Sequence, residues 1–186
     1  MDIVIIGDGK VGHKLAMQLS GENYNVTLID QCEKKLSDTV NEMDVSCVAG
    51  DGGSAEVQRK ADVPGADLVI ACTSTDEMNL FCCLLARRLG AKQTIARVRN
   101  PVYAEQMHLL KEDLKLSMAV NPELALAGEI SRVLIFPSAA KIETFVKGRV
   151  ELVEVTLNEK SVIAGVPLSG LYKKYQIKML ICAVQR

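Results

Sequence analysis

Gly7, Gly9 and Gly12, with Asp30 further along the chain, are the residues whose types and spacing suit one piece of chemistry best: holding the diphosphate of a dinucleotide. The run Ile3-Val4-Ile5-Ile6 reads as a buried parallel strand that delivers the chain to the turn Gly7-Asp8-Gly9-Lys10-Val11-Gly12. A helix beginning at that turn presents free N–H groups and the positive end of its dipole to an anion. Gly7 permits the tight turn, Gly9 lets the backbone approach the phosphates, and Gly12 lets the helix pack closely on the strand. Asp30 ends a second apolar run about eighteen residues beyond Gly12, where a carboxylate can accept hydrogen bonds from ribose hydroxyls. Its charge would repel a 2′-phosphate, which favours NAD(H) or an adenine nucleotide over NADP(H).

The elements that must position these residues alternate along the chain. Strands are expected at Asp2 to Ile6, Asn25 to Ile29, Val45 to Ala49, Leu68 to Cys72, Gln93 to Val98 and Leu116 to Val120. Helices are expected at Lys10 to Ser20, Glu33 to Met43, Ala55 to Ala61, Glu77 to Leu89 and Val102 to Lys111, with Asp76 and Ser54 as capping candidates. Such alternation predicts an α/β domain with a six-stranded, parallel, doubly wound (Rossmann) sheet. Right-handed crossovers then bring the carboxyl ends of strands one and four together as a crevice.

Three further loops open on that crevice. In Gly50-Asp51-Gly52, Asp51 either bonds an adenine amino group or caps a turn. After strand four, Thr73 and Ser74 offer hydroxyls and N–H groups to ribose or phosphate, or cap the next helix. After strand five, alternation aims Arg97 and Arg99 to one side, and Arg97, nearer the sheet, is the better phosphate ligand, against a plain edge charge. Lys10 either answers a terminal phosphate or stays solvated.

A formal net charge of −1 leaves no electrostatic footprint for nucleic acid, and no apolar run approaches the ~20 residues that span a bilayer. The protein is expected in the cytoplasm, with no signal peptide. Cys32, Cys47, Cys72, Cys82, Cys83 and Cys182 lack metal-ligand spacing and read as reduced core residues rather than disulfides. Neither His13 nor His108 has a metal-ligand partner at helical spacing.

Beyond Pro122-Glu123, the segment Leu124 to Phe136 is apolar on more than one helical face, which points to a dimer partner or to a packed core helix. Extended segments follow at Ile142 to Phe145 and Val150 to Leu157, then a helix at Pro167 to Lys173 and a strand at Lys178 to Val184. That last strand would end the chain unpaired, so the chain reads as part of something longer or as paired with another copy.

The ordered set Gly7 to Gly12, Asp30, Gly50-Asp51-Gly52, Ala71-Cys72-Thr73, Arg97-Val98-Arg99-Asn100-Pro101 and Asn121-Pro122-Glu123 resembles the regulator-of-potassium-conductance (KTN/RCK) family over the whole chain. The resemblance implies a nucleotide-binding domain at residues 1–123, a dimerising crossover helix and linker at 124–138, and an incomplete small C-terminal α+β domain at 139–186. It implies a phosphate loop of Gly7, Asp8, Gly9, Lys10, Val11 and Gly12, with Asp30 on the ribose. Gln31, Asp51, Cys72, Thr73, Ser74 and Arg97 would complete the cofactor site, and Glu123 matches a carboxylate that in some relatives lies near the nucleotide of a facing protomer.

Members of the family bind NAD(H) or ATP/ADP and form homodimers that assemble into tetrameric or larger rings. They act on a membrane potassium-translocating subunit, here of the Trk type, from its cytoplasmic face. The expected function is therefore nucleotide sensing without catalysis. The alternative is a fragment of an NAD-dependent oxidoreductase, but no nucleophile, proton-transfer pair or metal cluster stands beside the crevice to support one.

Overall fold

The computed structural model describes residues 1–110, 114–135, 139–145, 150–158, 160–176 and 180–184. The chain divides into two compact units, Met1–Ala127 and Gly128–Arg186.

In the first unit six strands form one parallel sheet: β1 (Asp2–Ile6), β2 (Asn25–Asp30), β3 (Ser46–Ala49), β4 (Leu68–Ala71), β5 (Gln93–Arg97) and β6 (Met118–Val120). Their order is β3-β2-β1-β4-β5-β6, so the winding reverses between β1 and β4, where Ile6 lies opposite Ala71. The expected six-stranded doubly wound sheet is therefore formed, with strand ends within two residues of their expected positions. Helices α1 (Lys10–Gly21), α2 (Glu33–Glu42), α3 (Ala55–Lys60), α4 (Asp76–Leu89) and α5 (Pro101–Leu110) connect the strands.

The near-continuous apolar reading of β1 follows from burial on both faces. Alternate residues feed two cores: Ile3 and Ile5 pack with Val26, Leu28 and Ala16, while Val4 and Ile6 pack with Val69, Cys82, Cys83 and Ala86. Each such aliphatic side chain contributes about 1.5–3 kcal/mol by leaving water. On α1, Val11, Leu15 and Leu19 pack against the first of these cores.

Two glycines fix how α1 meets the sheet. Gly7 has φ +105°, and a Cβ there would lie 2.9 Å from the Cys72 carbonyl oxygen. A Cβ on Gly12 would lie 1.9 Å from the Gly7 carbonyl oxygen, which belongs to rigid backbone.

Several expectations need correction. Among the cysteines only Cys72, Cys82 and Cys83 are buried; Cys47 is half-buried, and Cys32 and Cys182 are exposed. Burial pushes the Cys72 thiol up to about 11 and those of Cys82 and Cys83 up to about 12, which leaves them protonated and unreactive. Helix α4 is capped by Thr75, whose Oγ1 accepts from the Met78 amide at 3.3 Å, because Asp76 turns inward to other partners. Ser54 stands at the N-cap of α3 but its hydroxyl makes no capping bond.

Helix α6 (Pro122–Ile135) crosses the division between the units and contains no buried residue. Leu124, Leu126, Ile130, Val133, Leu134 and Ile135 are all exposed, so α6 is not a core helix of this chain. Phe136, Pro137 and Ser138, expected at its end, lie outside the described residues, as does Lys111 at the expected end of α5.

The second unit holds an antiparallel hairpin, β7 (Ala139–Phe145) and β8 (Val150–Val155), followed by α7 (Leu168–Tyr175). No strand forms at residues 180–184, where one was expected; this stretch has no pairing partner among the described residues, and Leu180 and Val184 are exposed. Of the rest of that expected strand, residues 178 and 179 lie outside the description. Among the described residues no helix is long and apolar enough to cross a membrane.

The close approach at Gly12 gives a direct test. Gly12→Ala is expected to lower stability by about 3 kcal/mol or more in urea denaturation, because two backbone segments must part. Gly9→Ala, whose Cβ would meet open space, is expected to cost no more than about 1 kcal/mol, the loss of a glycine N-cap.

Candidate functional site

The crevice at the β1–β4 reversal is framed by backbone before side chains. Gly9 is the N-cap of α1 in extended conformation; no side chain caps the helix and no acidic residue lies in its first turn. A Cβ on Gly9 would meet nothing within 4 Å. The front of α1 therefore keeps open space and an uncancelled positive dipole end, the arrangement that receives an anion. Lys10 is exposed at the first helical position, whereas Val11 turns its side chain into the core and offers only backbone.

Asp30 ends β2 beside this loop. Its Oδ2 accepts from the Asp8 amide at 2.7 Å and its Oδ1 accepts from the Cys32 amide at 2.9 Å. The carboxylate thus braces the glycine loop while each oxygen retains a lone pair for another donor. Gln31, next to it, is exposed. The side chain of Asp8 points away from the loop mouth, taking a 2.7 Å bond from the Thr39 hydroxyl and facing His13.

On the other side of the crevice, Cys72 lies beneath the loop, its thiol 3.5 Å from the Gly7 carbonyl oxygen, so its side chain is packing material. The Thr73 amide and hydroxyl both donate to Asn79 Oδ1, at 2.6 and 2.7 Å, and Ser74 is exposed. Asp51 accepts from the Gly53 amide at 2.9 Å through Oδ1, so it holds the turn after β3. That turn packs tightly, since a Cβ on Gly52 would meet the Ile6 side chain at 2.2 Å.

Strand alternation places Arg97 and Arg99 together only in part. Arg97, mostly buried, pairs through Nη2 with Glu123 at the start of α6, and its Nε is buried without a partner. Arg99 instead donates to the Ser74 carbonyl and lies 3.6 Å from Asp76. The Arg97 guanidinium holds the Glu123 carboxyl below the usual glutamate range.

Three further residues organise this region: Asp76, expected only as a helix cap, Asn121, named only within a motif, and Asn79, which was not singled out. Asn79 is 1 % exposed; besides holding Thr73 it donates through Nδ2 to the Arg97 carbonyl at 2.9 Å, tying the ends of β4 and β5 together. Asp76 accepts from the amides of Arg99 and Asn100 at 2.9 and 2.8 Å. Asn121 accepts from the Leu124 amide at 2.9 Å and donates to the Arg99 carbonyl at 2.9 Å, capping α6. The available signal was an asparagine on the same helical face as Cys82, Cys83 and Ala86, where a polar side chain needs a partner.

The TrkA-N domain family matches residues 3–122. A Trk system potassium uptake protein TrkA homolog of Archaeoglobus fulgidus is 37 % identical over 172 residues, covering 92 % of this chain and 39 % of that protein. The chain thus spans about two fifths of the length of the curated relatives it matches. Among solved structures, the GsuK channel bound to NAD has a TM-score of 0.55 at 23 % identity, covering 64 % of this chain and 21 % of that one. The Shewanella denitrificans Kef CTD in its AMP-bound form has a TM-score of 0.60 at 17 % identity, covering 75 % and 84 %.

Two substitutions test the framing of the crevice. Asn79→Leu, close in volume, is expected to destabilise by about 2–4 kcal/mol, because it leaves the Thr73 and Arg97 backbone groups unpaired, read as a lower urea midpoint at unchanged m. Glu123→Gln is expected to cost less than about 1 kcal/mol at pH 7, since Glu123 is half-exposed. A carboxylate with a lowered folded-state value stabilises above its unfolded value and stops doing so as pH falls through the folded one, so that small difference should shrink as pH falls below the usual glutamate range.

Proposed function

This chain belongs to the TrkA-N domain family, and from that premise we propose that its first unit binds NAD(H), or ATP/ADP, as a sensor rather than as an enzyme. The observation that carries the reading is the front of α1: an uncapped helix N-terminus with open space at Gly9, beside a carboxylate at the end of the next strand. Backbone amides of Gly9, Lys10, Val11 and Gly12 would take the diphosphate, and Asp30 the ribose, using lone pairs left by the Asp8 and Cys32 amides. Gln31 and Asp51 lie on the adenosine side. Lys10, Thr73, Ser74 and Arg97 lie toward the far phosphate or second nucleoside, while Cys72 contributes backbone only.

The regulatory role proceeds from what surrounds the crevice. Asp76, Asn79 and Arg97 are engaged with each other's loops or with Glu123, an arrangement suited to positioning rather than proton transfer. The exposed apolar length of α6 suits a homodimer contact from which a tetrameric or larger ring is built. The partner is a potassium-translocating membrane subunit of the Trk type, regulated from its cytoplasmic face. A bound nucleotide regulates it only by its difference in affinity for two arrangements of the assembly, with coupling of ~1–3 kcal/mol.

Calorimetric titration with NADH, NAD, ATP and ADP, with solution mass followed in parallel, tests this reading. Micromolar binding of at least one nucleotide, accompanied by a change in assembly, is the expected result. Gly9→Val should weaken that binding by about tenfold or more with little loss of thermal stability, since it fills only the space before α1. Undiminished binding in Gly9→Val would rule the glycine loop out as the phosphate site.

A further inference from the structure

The side chain of Asp8 has no part in the nucleotide reading above, yet it is the most deeply buried carboxylate beside the loop, with a side-chain exposure of 2 %. Its Oδ2 takes the Thr39 hydroxyl hydrogen at 2.7 Å, and its Oδ1 lies 3.2 Å from Nδ1 of His13. The Thr39 oxygen is itself 3.3 Å from that nitrogen. The second ring nitrogen, Nε2, lies 3.2 Å from Oε2 of Glu42 at the end of α2.

A neutral imidazole has one N–H and one lone pair, so it can donate to only one of two carboxylates and must turn its lone pair toward the other. With both ring nitrogens facing carboxylate oxygens, only the doubly protonated ring satisfies every contact. We propose that His13 is a positioning residue for the glycine loop: its imidazolium joins Asp8 of the loop to Glu42 and Thr39 of α2, and nucleotide affinity falls when the ring loses its proton.

The action runs through Asp8, whose amide is the donor to Asp30 Oδ2 while its carboxylate is the acceptor for His13 and Thr39. A neutral ring keeps one N–H, which the buried Asp8 holds at Nδ1, so loss of the proton turns a lone pair at Nε2 toward Glu42 and breaks that link between α1 and α2. It also removes a positive charge close to where phosphate would sit. The charged and titratable groups around the ring are few. The loop gives Asp8, α2 gives Glu42, and β2 gives Asp30 through the Asp8 amide; β3 gives the Cys47 thiol, which burial and then the Asp8 charge keep protonated. On α1 itself Lys10 and Lys14 are neighbours in sequence, both exposed.

This inference rests on the nucleotide reading for its affinity arm but not for its stability arm. The probe is NAD, whose diphosphate does not titrate between pH 6.0 and 8.5, a range in which imidazoles generally change charge. The protein is expected to bind NAD about five- to tenfold more weakly at pH 8.5 than at pH 6.0, with a flat profile in His13→Gln and a shallower one in Glu42→Gln. Without ligand, the native protein should melt above His13→Gln at pH 6.0, and the gap should close at pH 8.5. Equal pH dependence of melting in the native protein and His13→Gln would overturn the proton-dependent brace. A closing melting gap with a pH-independent NAD affinity would overturn the positioning role and leave a structural contact. Failure of NAD, NADH, ATP and ADP alike to bind at either pH, with the melting gap intact, would overturn the nucleotide reading and the affinity claim together.

Discussion

The tightest constraint in the first unit is the absence of a side chain at Gly12, where a Cβ would lie 1.9 Å from the Gly7 carbonyl oxygen. That approach presses the first turn of α1 against the end of β1, and the positive φ of Gly7 turns the chain in the space left beside the Cys72 carbonyl. Once those backbones are in contact, the front of α1 must face the crevice where the sheet order reverses. The site is therefore set by exclusion: few side chains hold it, and adding one at Gly7 or Gly12 would dismantle it.

The carboxylates around that backbone are engaged in bonds within the fold. The acidic groups nearby are turned to internal use, Asp30 to the Asp8 and Cys32 amides, Asp8 to Thr39 and His13, and Asp76 to the amides of Arg99 and Asn100. A carboxylate that accepts two backbone N–H bonds costs little to bury and repels an incoming anion less than a bare one would. Lys10, with no such partner among the described residues, is an exposed cation at the first position of α1.

The fold and the loop were legible in the sequence because both write themselves in short-range patterns. Alternating burial of Ile3 to Ile6 marks a central strand, and glycine at positions 7 and 12 marks backbone contacts that no other residue allows, while Gly9 leaves open space before α1. What was not legible is the pairing of residues far apart in sequence. Asn79 joining Thr73 to Arg97, Thr39 reaching Asp8, and Glu123 meeting Arg97 depend on how strands are laid side by side, information the sheet order holds and spacing does not. The final expected strand failed for a related reason: its apolar residues were read as strand-forming, but a strand forms only against a partner, and residues 180–184 have none among those described.

These long-range pairs also connect the crevice to α6. Thr73 binds Asn79, Asn79 binds the Arg97 carbonyl, and the Arg97 side chain binds Glu123 in the first turn of α6. In parallel Asp76 holds the Arg99 amide while the Arg99 carbonyl is held by Asn121, the α6 cap. Contiguity of this kind does not itself transmit anything; it does so only if one member has two arrangements and a ligand prefers one. Arg97 stands at the centre of these contacts, its Nε buried without a partner and its Nη2 committed to Glu123.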